Sequence, residues 1–151
     1  MKRKKVQESI DMDEENVLLL KKIYENSKTA VDALEMVKRQ SDSAHFNEFI
    51  EKQVYKYFYI AEDANMRLKE LCYLPDDTDI LSKIGLITTI KWGGKKTGHH
   101  ARILIDGCMG GVNEMLGEIR CRENMDSDCL DLAHILIETE QETIAILQRF
   151  L

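Results

Sequence analysis

The chain holds one proline in 151 residues, and it falls at position 75. Few helix breaks are therefore available, and the apolar residues on either side recur at intervals of three and four, the period of an α-helix. Residues 14–40 read as a first helix. Asp13 is placed to cap it, Glu14 and Glu15 suit the positive end of its dipole, and Val17, Leu20, Ile23, Tyr24, Ala30, Val31, Leu34 and Val37 form its apolar stripe. Residues 40–43 interrupt the pattern and supply the cap of a second helix over 44–73. Its stripe is Phe46, Phe49, Ile50, Val54, Tyr57, Ala61, Ala64, Leu68 and Leu71, and Pro75-Asp76-Asp77 ends it. A third helix over 97–121 turns Ala101, Leu104, Ile105, Cys108, Val112, Met115, Leu116 and Ile119 inward. A fourth over 127–150 does the same with Leu130, Ala133, Leu136, Ile137, Ile144, Leu147 and Leu151.

Two of the three connections are tight turns, which make each pair of helices an antiparallel αα-hairpin. The third, residues 74–96, is long. Its apolar, periodic stretch over 80–92 reads as a short extra helix closed by Gly93-Gly94. Its β-branched content also fits a strand, but a lone strand has no partner elsewhere in the chain. About 23 residues, part helical and part extended, can cross a bundle roughly 40 Å long. The expected fold is therefore all-α: an antiparallel four-helix bundle of two hairpins joined by a long connection, with the second and third helices parallel. A plain up-down bundle with the extra helix folded on one end is the alternative.

A net charge of −6 and a pI near 5.3 argue against non-specific binding to nucleic acid or to anionic membranes. An apolar fraction of 44% is too high for disorder, and the length suits one domain, expected over 13–151 after a flexible, solvated tail at 1–12 that carries Lys2-Arg3-Lys4-Lys5. The first 20 residues lack the apolar core of a signal peptide, and no apolar run reaches the roughly 20 residues of a membrane span, so the expected compartment is the cytoplasm. Cys72, Cys108, Cys121 and Cys129 show no metal-binding spacing and are expected as free thiols; Cys121 and Cys129 flank a turn and would be the pair if oxidised.

Two hairpins joined by one long connection resemble ferritin-like four-helix proteins. More narrowly, Lys96-Thr97-Gly98-His99-His100-Ala101 through Ile105-Asp106-Gly107, with Ile23-Tyr24-Glu25-Asn26 and the acidic run over 138–142, is similar to small uncharacterised helical proteins of anaerobic Gram-positive bacteria. The resemblance implies a bundle and no particular activity. A ferritin-like di-iron site takes a Glu from each of two helices and a Glu-x-x-His from each of the others. The nearest match is Glu25, Glu62-x-x-Asn65, Glu114 and Asp131-x-x-His134, which lacks one histidine and has Asp for one Glu. At about 100° per residue, Glu62, Glu114 and Asp131 point away from their apolar stripes, so these ligands are not carried over. His99 is expected to face outward, and His100 and His134 to sit at stripe edges. His45 with the His99-His100 pair is a weaker candidate for a shared metal at one end of the bundle.

Four polar residues do fall on the apolar stripes: Ser27, Gln53, Cys108 and Glu140. Glu140 is central, because Leu136, Ile137, Ile144 and Leu147 around it are all apolar. A buried carboxylate should show a raised pKa and accept hydrogen bonds from Gln53, Ser27, Tyr57 or a buried water. Such a layer either fixes helix register or forms a small internal site for a metal or a small polar ligand. On the surface, Tyr55, Tyr59 and Met66 make an apolar stripe opposite the core face of the second helix, fit for the connecting helix or for a second copy of the chain. Ile103, Gly107, Gly110 and Gly111 form a small-residue edge on the third helix, where another backbone or a ligand is expected to come close. Gly93-Gly94-Lys95-Lys96-Thr97 lacks the strand and spacing of a phosphate loop and reads as a hinge. The balance is against an enzyme. A structural or interaction protein that self-associates is the favoured function, without a cofactor. The alternative is a degenerate ferritin-like protein that holds iron, manganese or a small polar ligand inside the bundle.

Overall fold

A computed structural model describes residues 2–74 and 96–151, the side chains of residues 9–11 excepted. The helix expected over 80–92, its Pro75 stop and its Gly93-Gly94 end lie outside the described residues. Among the described residues there are four long helices: α1 over Lys2–Gln40, α2 over Ala44–Glu70, α3 over Thr97–Arg120 and α4 over Ser127–Leu147. A short 3-10 turn over Gln148–Phe150 follows α4. The described residues include no strand. No helix among them is long and apolar enough to cross a membrane.

The helices share one core. Leu19, Leu20, Ile23, Leu34 and Val37 of α1 pack with Phe46, Ile50, Tyr57, Ala64 and Leu68 of α2. Ala101, Leu104 and Met115 of α3 and Leu136 and Leu147 of α4 complete it. At about 25 cal/mol per Å2 of apolar surface removed from water, burial of this cluster is the main force holding the helices together. The salt bridges between helices are outside it: Lys38 to Glu51 at 3.9 Å, Lys22 to Glu114 at 3.2 Å, Lys56 to Glu142 at 2.7 Å and Arg67 to Asp128 at 3.9 Å. Partly exposed pairs of this kind contribute about 0–1 kcal/mol each.

The helix ends follow local chemistry. Residues 41–43 make the first turn, in which Ser43 Oγ accepts from Phe46 N–H at 3.3 Å and Asn47 Nδ2 donates to Ser41 O at 3.1 Å. At the far end of α2, Cys72 adopts φ 60°, the left-handed region. Its N–H reaches Lys69 O at 3.0 Å and the Tyr73 N–H reaches Leu68 O at 2.9 Å, the paired bonds of a Schellman C-cap. The loop before α4 is tied to α1: Asn124 N–H donates to Glu15 Oε2 and Asp126 N–H to Asn16 Oδ1, each at 2.8 Å.

Three expectations need correcting. Helix α1 begins at Lys2, not near Asp13, so Asp13 is not its cap. The segment has no Pro or Gly, and its Lys, Arg, Gln, Glu and Met residues propagate a helix well even though its described side chains are exposed. In α4, Leu132 and Cys129 are buried, whereas Leu151 is 61% exposed because the helix gives way to the 3-10 turn before reaching it. Asn16 and Leu19 are buried on α1 although neither belongs to the expected stripe. The four cysteines are free, with Cys129 buried and Cys121 exposed.

Candidate functional site

Glu140 is the central buried charge of α4, 1% exposed. Leu136 one turn before it and Thr143 and Leu147 after it line the same buried face, so the helix leaves its side chain nowhere to go but inward. Its carboxylate lies against α3 at Gly111. A Cβ built on Gly111 would stand 2.1 Å from Glu140 Oε1 and 2.7 Å from its carboxyl carbon, so no larger residue fits there without displacing the acid. Glu140 Oε2 is buried with no hydrogen-bond partner. Burial, and to a lesser degree the negative Glu114, push the Glu140 pKa from 4.5 up to about 8. At neutral pH the group is mainly a neutral acid.

A cavity of about 90 Å3 opens beside this carboxyl group, between α1 and α3. Glu140, Tyr57, Cys108 and Thr143 supply polar atoms to its wall, with Asn26 and Thr29 from α1. Ala30, Ala33, Leu34, Ile103 and Leu104 make the rest apolar. Gly107, exposed and with nothing within 4 Å of a built Cβ, stands at its solvent edge.

The neutral polar groups form a chain of their own. Tyr57 Oη donates to Thr143 Oγ1 at 3.3 Å. The single Thr143 hydroxyl hydrogen is shared between Gln53 Oε1 at 3.0 Å and Thr139 O at 2.7 Å. With the Tyr57 proton so used, the Cys108 thiol donates to Tyr57 Oη across 3.6 Å. Burial drives the Cys108 pKa up to about 12 and raises that of Tyr57 as well. Cys108 is thus a thiol and not a thiolate, a hydrogen-bonding group and not a nucleophile. The Tyr57, Thr143 and Cys108 hydrogens are all engaged. The free valence of the site is the Glu140 acceptor.

Of the residues singled out in the sequence, Tyr57, Cys108 and Glu140 line the one cavity, and Gln53 joins it through Thr143. Ser27 is buried but bonds within its own helix, Oγ to Ile23 O at 2.7 Å, and does not line the cavity. The hydrogen bonds expected from Gln53, Ser27 or Tyr57 to Glu140 are not made: the Ser27 and Tyr57 hydroxyls donate elsewhere, and Gln53 turns its Oε1 to Thr143. Gly111 does mark a close approach, by the Glu140 side chain; a Cβ on Gly107 or Gly110 would have nothing among the described residues within 4 Å, and the connecting segment expected there lies outside them. Thr143 was missed. Its signal is the spacing 136, 140, 143, 147, a helical line that crosses polar residues and is therefore invisible to an apolar stripe.

The nearest ferritin-like ligand set is not gathered inside the bundle among the described residues: Glu62, Glu114, Asp131 and His134 are exposed and Glu25 is half-buried. Oxygen-seeking metals need several carboxylates. Among the described residues no group of three or more His, Cys, Asp or Glu is arranged to hold a metal. The histidines depart from expectation: His100 is fully buried and His99 half-buried, their rings 6.1 Å apart, while His45 packs on Phe150 with ring centres 5.5 Å apart. The apolar residues Tyr55, Tyr59 and Met66 are exposed on α2, and Phe58 joins them with its ring edge-on to Tyr59. Comparison with known protein families, with curated proteins and with solved structures finds no match, so the site is read from its own geometry.

Proposed function

We propose that this chain is a non-enzymatic helical bundle that binds a small polar ligand in its interior, between α1 and α3. One observation carries this: Glu140, a buried acid with one carboxyl oxygen lacking a partner, lines a cavity of about 90 Å3. An unpaired buried acceptor costs about 1–3 kcal/mol, and more if charged, so its retention beside free space favours a role in which the space is filled. Nuclear magnetic resonance tests it with a panel of amines, alcohols, amides and carboxylic acids of two to five heavy atoms. At least one class is expected to shift the methyl signals of Ala30, Ala33 and Leu104 saturably. If no member does so at millimolar concentration, there is no ligand site.

The bundle is proposed to be antiparallel with a ferritin-like connection. The order of contacts supports it. Along α2, Phe46, Lys56 and Arg67 meet Phe150, Glu142 and Asp128, so numbers rise on one element as they fall on the other. On α3, Gly98 lies by Phe150, at the Phe46 end of α2, and Cys108 meets Tyr57, which supports α2 and α3 running the same way.

A second reading, self-association, is favoured by the exposed Tyr55, Phe58, Tyr59 and Met66 on one helix. Aromatic and methionine side chains are enriched at the cores of protein interfaces. Sedimentation across micromolar concentrations is expected to show a dimer or larger species that Tyr59→Glu reduces to monomer. A monomer throughout would end this reading and leave the internal site untouched.

A further inference from the structure

We infer that the ligand of this cavity is a small primary alkylammonium ion, held by Glu140 as its counter-ion. The inference rests on the internal site proposed above and names the ligand class.

Charge selects a cation. Among the described residues Glu140 is the only carboxylate lining the cavity, and no cationic side chain lines it. The charged and titratable groups that face Glu140 are Glu114 and Cys108 on α3 and Tyr57 on α2; α1 offers the cavity only the uncharged Asn26 and Thr29. Lys22 of α1 is committed to Glu114 at 3.2 Å. A cation that enters meets the Glu140 carboxylate, once ionised, with no competing cation among the described lining residues, and the low-dielectric wall strengthens that pairing.

Hydrogen bonding selects a donor. Tyr57, Thr143 and Cys108 have spent their hydrogens within the polar chain, and the Glu140 carboxyl group has no donor among them. An ammonium group brings three donors, one for the Glu140 carboxylate and others for oxygens such as the Asn26 or Thr29 side chains. Size and polarity select a short alkyl tail. A dry cavity of about 150 Å3 takes benzene, so about 90 Å3 suits roughly four heavy atoms, and Ala30, Ala33, Leu34, Ile103 and Leu104 offer the tail an apolar wall. A divalent metal would find one carboxylate and too few further ligands.

Binding ionises the acid. The ammonium enters with its proton, the Glu140 carboxyl O–H breaks, and that proton leaves to solvent while the ion pair forms. Isothermal titration with n-propylammonium chloride, in buffers of different ionisation enthalpy at constant excess KCl, tests this. The expected result is one bound ion per chain with about 0.9 proton released at pH 7 and about 0.1 at pH 9, as follows from titration near 8. Glu140→Gln and Ala33→Leu, which respectively remove the anion and fill the cavity, are each expected to weaken binding at least about tenfold. Binding of propanol or propionate in place of propylammonium would overturn the ammonium class and leave a ligand cavity standing. Equal binding by Glu140→Gln would overturn the anchor, and competition by potassium alone at millimolar concentration would overturn the alkyl selectivity. If none of the four probes binds the wild-type chain, both the ligand class and the internal site fall. Should Ala33→Leu not fold, Glu140→Gln alone decides, since a neutral amide is no harder to bury than the neutral acid it replaces and easier than the carboxylate.

Discussion

Gly111 of α3 sits directly beneath the Glu140 carboxylate of α4, with room for a hydrogen and none for a methyl group: a Cβ would come within 2.1 Å of Oε1. The two residues are thus one structural unit. Glycine in a helix interior costs about 1 kcal/mol against alanine, and here that loss is what allows a carboxyl group to lie between two helices. Gly111→Ala is expected to destabilise the wild-type protein by about 1–3 kcal/mol through overpacking. In a Glu140→Ala background the same change should stabilise by about 1 kcal/mol, the helix propensity alone. Chemical denaturation of the four proteins of this cycle gives the coupling. Equal effects of Gly111→Ala in both backgrounds would mean that the contact is not felt.

Glu140 also sets a pH dependence. In the unfolded chain the carboxyl ionises near 4.5, and in the folded protein near 8. Between those values the native state holds a proton that the unfolded state has lost, so this group's contribution to stability falls as pH rises through the window and levels off above it. The full span is on the order of 4 kcal/mol. Glu140→Gln removes the window. It should be close to neutral at pH 5 and stabilising at pH 9, as read by denaturation at the two pH values. A variant equally stable relative to wild type at both would contradict the assignment.

Cys72 occupies the left-handed position of the α2 C-cap with φ 60°. Residues with a Cβ pay about 1–2 kcal/mol there. Cys72→Gly keeps both cap bonds and should raise stability by about 1 kcal/mol, or several degrees in Tm. An unchanged or lower Tm would show that the cap is not formed in solution.

The buried Asn16 holds the loop before α4 by accepting from Asp126 N–H at 2.8 Å. Asn16→Ala leaves that donor without its partner and should cost about 1–2 kcal/mol. Amide exchange should quicken at Asp126 and in the first turn of α4 while the middle of α2 keeps its protection. Uniform loss of protection would mean that the bond supports the whole bundle and not the loop.

Much of the bundle is legible in the sequence because helical periodicity of apolar residues is a strong, local signal. Phe46, Ile50, Tyr57, Ala64 and Leu68 could be read directly, and so could the Ser43 cap. Glu140 was legible for the same reason in reverse, as a charge interrupting an apolar line. What surrounds it was not. Thr143 is polar and looks like surface, yet it faces Tyr57 across the bundle. The partner of Gly111 depends on how two helices are rotated against each other, a long-range property that no local pattern carries. The helical start at Lys2 was missed because capping residues near Asp13 signalled a beginning, while the residues before them merely permit a helix. The cavity is the least legible feature, being a space defined by four helices and encoded by none.

The most direct measurement is the ionisation of Glu140 itself, followed by its side-chain carboxyl 13C shift in labelled protein. The account predicts a titration near pH 8 in the free protein, displaced to lower pH when propylammonium is present. A midpoint near 4.5, indifferent to propylammonium, would show a solvated carboxylate with no site beside it.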